Sequence, residues 1–187
     1  KQARARAEKF LDHFSKNDGR LRPSLFCHAP YTCSAETLQW VKQLCRQQGI
    51  LFQIHLSETA AEAAHLTEQY GARPVSYLDR LGLLDDLTLC AHAIWLQDEE
   101  IELLAKSKTG ISHNVESNMK LASGVAPVPA MLKAGACVAL GTDGCASNND
   151  LDLFSEMDKV AKLHKVMQRD PVVCSAPEVL KMATVSG

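Results

Sequence analysis

Five apolar segments of this sequence each lead into a side chain that could bind a metal ion or transfer a proton. These side chains are His28, His55, His92, His113 and Asp143. Hydrolysis by metal-activated water requires neutral imidazoles and a carboxylate around one cation, and a second carboxylate that moves protons. His55 and Asp143 supply groups of the first kind, and Glu58, three residues after His55, could supply the second. The set therefore indicates metal-dependent hydrolysis.

Each of these residues also has a simpler structural interpretation. A single histidine at a strand end is more often satisfied by a backbone carbonyl than bound to a metal. Glu58 could interact with a helix N-terminus beside the capping residue Thr59. Asp143, with Gly141 and Gly144 close by, could cap a tight turn. The hydrolytic interpretation depends on the ordered set and not on any single member of it.

The apolar segments alternate with helical patterns, and this alternation predicts the fold. The predicted strands cover residues 24–27, 50–54, 87–91, 109–112 and 137–141. Nearly continuous apolar strands separated by helices are typical of a parallel sheet buried on both faces. A doubly wound sheet concentrates its site at one switch point, whereas a β/α barrel uses the carboxyl ends of many strands. The sequence therefore predicts an α/β fold and a partial TIM (β/α)8 barrel.

The composition indicates which kinds of molecule the protein could bind and in which compartment it could occur. The formal net charge of the 187 residues is −2, so there is no basic excess to attract nucleic acid. No apolar run approaches the length of a membrane span. The seven cysteines are scattered and form no C-x-x-C pair, which favours a reducing compartment and packing roles, including for Cys145. These features predict a cytoplasmic protein with a small-molecule partner, bound to neither nucleic acid nor membrane.

Five short motifs occur in a fixed order along the chain. They are His28-Ala29-Pro30-Tyr31, His55-Leu56-Ser57-Glu58-Thr59, Ala91-His92, the segment from His113-Asn114 through Ser117-Asn118-Met119-Lys120-Leu121 to Gly124-Val125-Ala126-Pro127, and Gly141-Thr142-Asp143-Gly144. Together they resemble the amidohydrolase superfamily, and within it the methylthioadenosine/S-adenosylhomocysteine deaminases and the related triazine hydrolases. The resemblance covers the chain from about residue 21 to its end.

The resemblance implies a role for each motif residue. His55, on the fifth barrel strand, would bind a single divalent metal ion, either zinc or iron. Asp143, on the eighth strand, would bind the same ion, handle the proton of the attacking water and contact substrate. Glu58 would contact the substrate and protonate its ring nitrogen. His92, on the sixth strand, would orient the nucleophile, and His28, on the fourth, would contact the substrate.

The resemblance also implies a reaction, with two alternatives left open. The expected activity is hydrolytic deamination of adenine nucleosides such as methylthioadenosine or S-adenosylhomocysteine. One alternative keeps the metal hydrolase but changes the substrate to a triazine or guanine. The other is a non-catalytic half-barrel that pairs with itself or with another chain, because a half-barrel exposes strand edges and a core face.

Two departures from the family pattern shape the expectation for this chain. It contains no His-x-His pair, which the family carries on its first strand as further metal ligands, and it has Val115 where a proline is expected. We therefore expect residues 1–187 to form a single domain, the carboxyl-terminal part of the barrel (strands four to eight), truncated at both ends. We expect this part to be inactive alone and able to self-associate.

Overall fold

The architecture is a five-stranded parallel β-sheet, seen in a computed structural model that describes residues 2–14 and 21–186. The strands are β1 (Ser24–Cys27), β2 (Leu51–Leu56), β3 (Thr88–His92), β4 (Gly110–His113) and β5 (Cys137–Leu140). Each strand pairs in parallel with the next one along the chain. This arrangement confirms the predicted α/β class.

Helices connect the strands. They are α1 (Gln2–Phe14), α2 (Ala35–Gln48), α3 (Ala60–Tyr70), α4 (Pro74–Arg80), α5 (Asp98–Ser107), α6 (Val115–Lys120), α7 (Val128–Lys133), α8 (Leu153–Gln168) and α9 (Ala176–Met182). Parallel strands joined in sequence order by right-handed crossovers place their helices on one face of the sheet. The opposite face is left to carry the residues at the barrel interior.

Local capping chemistry explains where several helices begin. Ser34 and Thr59 accept hydrogen bonds from backbone amides of the first turns of α2 and α3, as their side chains favour at this position. The N-cap of α5 is Gln97, which forms a capping box with Glu100. Asp98, whose side chain type is also favoured as an N-cap, is instead the first helical residue.

Strand β2 shows how the sheet separates two environments. Phe52, Ile54 and Leu56 are fully buried and belong to the hydrophobic core, and each contributes roughly 1.5–3 kcal/mol of burial free energy. The alternate residues Gln53 and His55 are only partly buried. The burial of both faces predicted from the apolar runs is therefore not seen among the described residues, where only one face of β2 is fully covered.

The compositional predictions can be compared with the structure at two points. No helix of the described residues is both long and apolar enough to cross a membrane. All seven cysteines are free thiols, and four of them are buried. Cys137 and Cys145 are exposed, so the packing role predicted for Cys145 is wrong, because its loop leaves the side chain at the surface.

Two histidines form a buried pair between β4 and α8. Nε2 of His113 lies 3.4 Å from Nε2 of His164, and both side chains are about 1% exposed. Burial lowers the pKa of His113 to about 3 and that of His164 to about 4. The pair is therefore neutral, and it lies in the packing between sheet and helix.

This pair predicts a contribution to stability that is lost in mild acid. The unfolded histidines take up protons near pH 6.5, whereas the folded ones do so only near pH 3–4, so the pair's contribution to the free energy of unfolding decreases as pH falls between these values. We expect this contribution to fall by roughly 3 kcal/mol between pH 7 and pH 5, read from the change in the pH dependence of denaturant unfolding when a histidine is replaced, because the raised pKa values of Glu62 and Glu156 act in the opposite direction. His164→Phe should reduce this slope, and His65→Gln, at an exposed histidine of α3, should not. An equal slope in all three proteins would contradict the prediction.

Candidate metal centre

Three side chains converge at the carboxyl ends of the strands. His55 belongs to β2, His92 ends β3, and Asp143 follows β5. One potential ligand atom from each lies within 4.8 Å of the others. Two imidazole nitrogens and one carboxylate oxygen form a donor set that suits zinc or ferrous iron. The residues present therefore fit a metal ion, and the structure brings together the two predicted ligands and His92.

The surroundings keep these groups in the protonation states that bind metal. Burial and the neighbouring His92 lower the pKa of His55 below its ordinary value. Burial raises the pKa of Asp143, but hydrogen bonds from the hydroxyl groups of Ser147 and Ser117 outweigh this effect and lower it overall. Both hydroxyls lie 2.7 Å from Oδ2 of Asp143. A neutral imidazole and an ionised carboxylate are the metal-binding forms of these side chains.

The orientation of His92 is set by a neighbour that sequence reasoning did not identify. Oδ1 of Asn118, in α6, lies 2.8 Å from Nδ1 of His92, and both side chains are buried. An amide oxygen only accepts hydrogen bonds, so in the neutral imidazole this contact places the proton on Nδ1 and leaves the lone pair on Nε2. Nε2 lies 3.9 Å from Oε2 of Glu58. Asn118 therefore presents an unprotonated nitrogen to the centre.

Removing the Asn118 amide should change the tautomer of His92. In Asn118→Leu, we expect the ¹⁵N chemical shifts of the ring, measured above pH 8, to change from the Nδ1–H form to a mixture. Loss of such a supporting hydrogen bond typically weakens metal binding by about 10–100-fold, which a competition titration would detect. Asn149→Ala, at an exposed asparagine of the loop after β5, should leave both properties unchanged. An unprotonated Nδ1 in the unmodified protein would refute the assignment.

Glu58 lies beside the three-residue group without belonging to it. Its side chain is about one quarter exposed, and Oε1 lies 3.5 Å from the hydroxyl of Ser123. The preceding residue, Ser57, has a φ of 52°, a left-handed conformation that turns the chain sharply after β2. The carboxyl group of Glu58 thus faces the centre and remains accessible to a ligand.

Two other predicted residues lie in different places. His28 is next to the centre, with its ring 5.2 Å from that of His55 and Nδ1 2.9 Å from the hydroxyl of Thr32. His113 points away and pairs with His164. Both His55 and Asp143 line a cavity of about 370 Å³ on the open face of the sheet, together with Phe26.

The segment after β4 is a short helix and not an irregular polar loop. Residues Val115–Lys120 form α6, with Val115 fully buried, where the family pattern would have proline. This short helix carries both Ser117, which contacts Asp143, and Asn118, which contacts His92. The one signal of their role in the sequence was that they follow the carboxyl end of a strand.

Comparison with known proteins places these features in a family. The sequence matches the Amidohydrolase family over residues 1–187. It is 51% identical over 168 residues to the 5'-deoxyadenosine deaminase of Methanopyrus kandleri, covering 90% of this chain and 39% of that protein. It is also 51% identical over 160 residues to the 5-methylthioadenosine/S-adenosylhomocysteine deaminase of Thermococcus sibiricus, covering 86% and 38%.

Solved structures show the same architecture. The crystal structure of a zinc-bound adenosine deaminase from Xanthomonas campestris superposes with a TM-score of 0.93 at 40% identity, covering 97% of this chain and 41% of that one. The guanine deaminase of C. acetobutylicum, with guanine bound, gives a TM-score of 0.87 at 26% identity, covering 96% and 44%. The zinc-bound neighbour and the His–His–Asp group together support a metal at this centre.

The comparisons also show how much of its relatives' length this chain covers. It spans about 40% of the length of the curated relatives it matches. Its five-stranded parallel sheet with flanking helices corresponds to part of the barrel of the amidohydrolase neighbours, which confirms the predicted partial barrel. The resemblance first indicated by the ordered motifs is confirmed as well, and the chain belongs to the amidohydrolase family.

Proposed function

We propose that the whole protein is a metal-dependent deaminase of adenine nucleosides that carry a modified 5' position, such as methylthioadenosine, S-adenosylhomocysteine or 5'-deoxyadenosine. The observation that carries this proposal is the three-donor group with an independent carboxylate, Glu58, at its edge. The named activities of the relatives at 51% identity supply the substrate class. In this proposal the described residues form the carboxyl-terminal part of the barrel, strands four to eight, within a single domain.

The metal would be held here by His55 and Asp143, with His92 at the same centre. Zinc fits this donor set best and iron is the alternative. Further ligands would come from outside this chain, whose sequence has no His-x-His pair. A divalent cation bound at such a centre lowers the pKa of its water towards about 7, which makes a nucleophile available at neutral pH.

The side chains then divide the proton transfers. Nε2 of His92 and the carboxylate of Asp143 hold the attacking water, and Asp143 accepts its proton. Glu58 protonates the ring nitrogen beside the amino-bearing carbon, which makes that carbon more electrophilic. The proton on Asp143 passes to the amino group, and the hydroxyl proton of the tetrahedral intermediate returns to Glu58 as the C–N bond breaks and ammonia leaves. His28 contacts the substrate beside the metal centre.

A second candidate substrate class is supported by the solved structures. Atrazine chlorohydrolase from Arthrobacter aurescens, complexed with zinc, superposes with a TM-score of 0.86 at 26% identity, covering 96% of this chain and 41% of that one. Guanine deaminase is similarly close. The same metal and carboxylate would then act on a triazine or guanine. We favour the adenine nucleosides because the relatives named for them are twice as similar in sequence.

A panel assay separates these candidates. Ammonia or chloride release would be measured for the whole protein with methylthioadenosine, S-adenosylhomocysteine, 5'-deoxyadenosine, guanine and atrazine, alongside its metal content. We expect about one metal per chain and the highest kcat/KM for a 5'-modified adenosine. A preference for guanine or atrazine would replace the proposal by the second candidate. Bound metal without turnover of any of these substrates would contradict both candidates.

Two further properties belong to the proposal. The free thiols of all seven cysteines are compatible with a reducing cytoplasm. The partly covered open face of the sheet would promote self-association of the 187-residue chain. Size-exclusion chromatography of this chain beside the whole protein would test the second point, because a monodisperse monomer would contradict it.

A further inference from the structure

Glu62 makes an unusual pair of hydrogen bonds at the start of α3. Its side chain is buried. Oε1 accepts a hydrogen bond from the amide of Ser57 at 3.0 Å, and Oε2 accepts one from the amide of Glu58 at 2.9 Å. In an ordinary capping box, the glutamate at this position binds the amide of the capping residue itself, which here is Thr59. Glu62 also interacts with the backbone of Thr59, but its 3.0 and 2.9 Å hydrogen bonds are to the two residues before the cap.

The bound residues form the turn that carries Glu58. Ser57 has a left-handed backbone, which is unfavourable for a residue with a Cβ atom and must be held by its surroundings. Its carbonyl oxygen accepts hydrogen bonds from the amides of Ile94 and Trp95, at 3.0 and 2.9 Å. The turn is therefore fixed on one side by the segment after β3 and on the other by Glu62.

The burial of Glu62 has a cost that packing alone does not explain. Burial raises the pKa of its carboxyl to about 7, although the amides of Ser57 and Glu58 act in the opposite direction. No basic side chain among the described residues forms an ion pair with it. A buried carboxylate without a cation destabilises a fold unless hydrogen bonds offset its lost hydration. Both oxygens of this one are used to hold a single turn.

We propose that Glu62 is a positioning residue, whose carboxylate fixes the backbone of Ser57 and Glu58 so that the Glu58 side chain faces the metal centre. Two contacts connect Glu62 to the metal centre. Glu62 accepts a hydrogen bond from the Glu58 amide, and Oε2 of Glu58 lies 3.9 Å from Nε2 of His92. The structural part of this inference stands on the geometry alone. Its effect on turnover rests on the proposed deaminase function.

Glu62→Gln tests the inference, because glutamine replaces one acceptor by an NH₂ group that faces a backbone amide. In the whole protein, we expect hydrogen exchange at the amides of Ser57 and Glu58 to accelerate at least about tenfold, since a lost hydrogen bond of about 1.4 kcal/mol changes an opening equilibrium by that factor. We expect kcat to fall about 10–100-fold, with KM within about threefold and metal content unchanged. Glu62→Asp, which keeps both acceptors, should restore part of kcat.

Glu178→Gln is the matched control. Glu178 occupies the same third position of α9 and accepts hydrogen bonds from the amide and hydroxyl of Ser175, but it lies at an exposed site. Its variant should match the unmodified protein in exchange at residues 57 and 58 and in kcat. Unaltered exchange at these amides in Glu62→Gln would overturn the inference, and so would an unaltered kcat in an active enzyme. If the unmodified protein deaminates nothing, the exchange result alone decides, which separates this inference from the proposed function.

Discussion

Glu58→Gln is expected to lower the turnover of a 5'-modified adenosine by about 10³-fold while the metal stays bound. Glutamine has nearly the same shape as glutamate but cannot deliver a proton to the ring nitrogen. Glu58 lies outside the three-residue ligand group, so its charge is not needed to hold the cation. The variant should therefore retain about one metal per chain, measured by elemental analysis, while ammonia release is followed in the same preparation.

Substrate affinity gives a further check on this result. Because Glu58 acts on the ring nitrogen during the chemical step, the loss should appear mainly in kcat and less in KM. Glu68→Gln, at an exposed glutamate of α3, makes the same chemical change on the helix that follows Glu58 and should leave both constants within about twofold. Undiminished turnover in Glu58→Gln would remove this residue from the mechanism. Loss of metal together with turnover would assign Glu58 to the ligand set instead.

The fold was predictable because its signals are local. Each strand is a short apolar run, and several helices are marked by a capping side chain such as Ser34 or Thr59 and by a left-handed glycine such as Gly49. Parallel strands in sequence order bring all their carboxyl ends to one edge. The sequence could therefore place His55 and Asp143 at the same edge of the sheet. In the structure, a potential ligand atom of His55 lies within 4.8 Å of one of Asp143.

The supporting contacts were not predictable because they join residues that are distant in sequence. His92 and Asn118 are 26 positions apart, as are Ser117 and Asp143. Strand order determines which loops are neighbours, but the side-chain directions within a loop depend on its exact turn. His113 shows the same limit of prediction. Like His92 it ends a strand, yet its ring packs against His164 of α8 and not at the metal centre.

Even where a local signal existed, it fixed the geometry only in part. Thr59 and Glu62 have the spacing of a capping box, and Thr59 does accept a hydrogen bond from the amide of Glu62. The carboxylate of Glu62, however, reaches two residues further back because Ser57 adopts a left-handed backbone. That conformation is held by hydrogen bonds from the segment after β3. The sequence of residues 57–62 alone does not indicate this contact.

Asp143→Asn is expected to remove most of the bound metal and to lower turnover by roughly 10³-fold or more. The carboxylate is the only anionic member of the ligand group, and an amide oxygen is a much weaker ligand for zinc. Ser117 and Ser147 both donate to Oδ2 of Asp143, and these hydrogen bonds stabilise the charge that the cation requires. Metal content after dialysis and ammonia release would be measured together in the whole protein.

The comparison between Asp143→Asn and Glu58→Gln separates binding of the cation from proton transfer. Asp143→Asn should lose both metal and turnover, with part of the activity regained at high added zinc, whereas added zinc should not rescue Glu58→Gln. Asp150→Asn, in the same loop at an exposed position, should keep full metal content and activity. Full metal occupancy in Asp143→Asn would show that His55, His92 and ligands outside this chain suffice, and Asp143 would then act only on the proton of the attacking water.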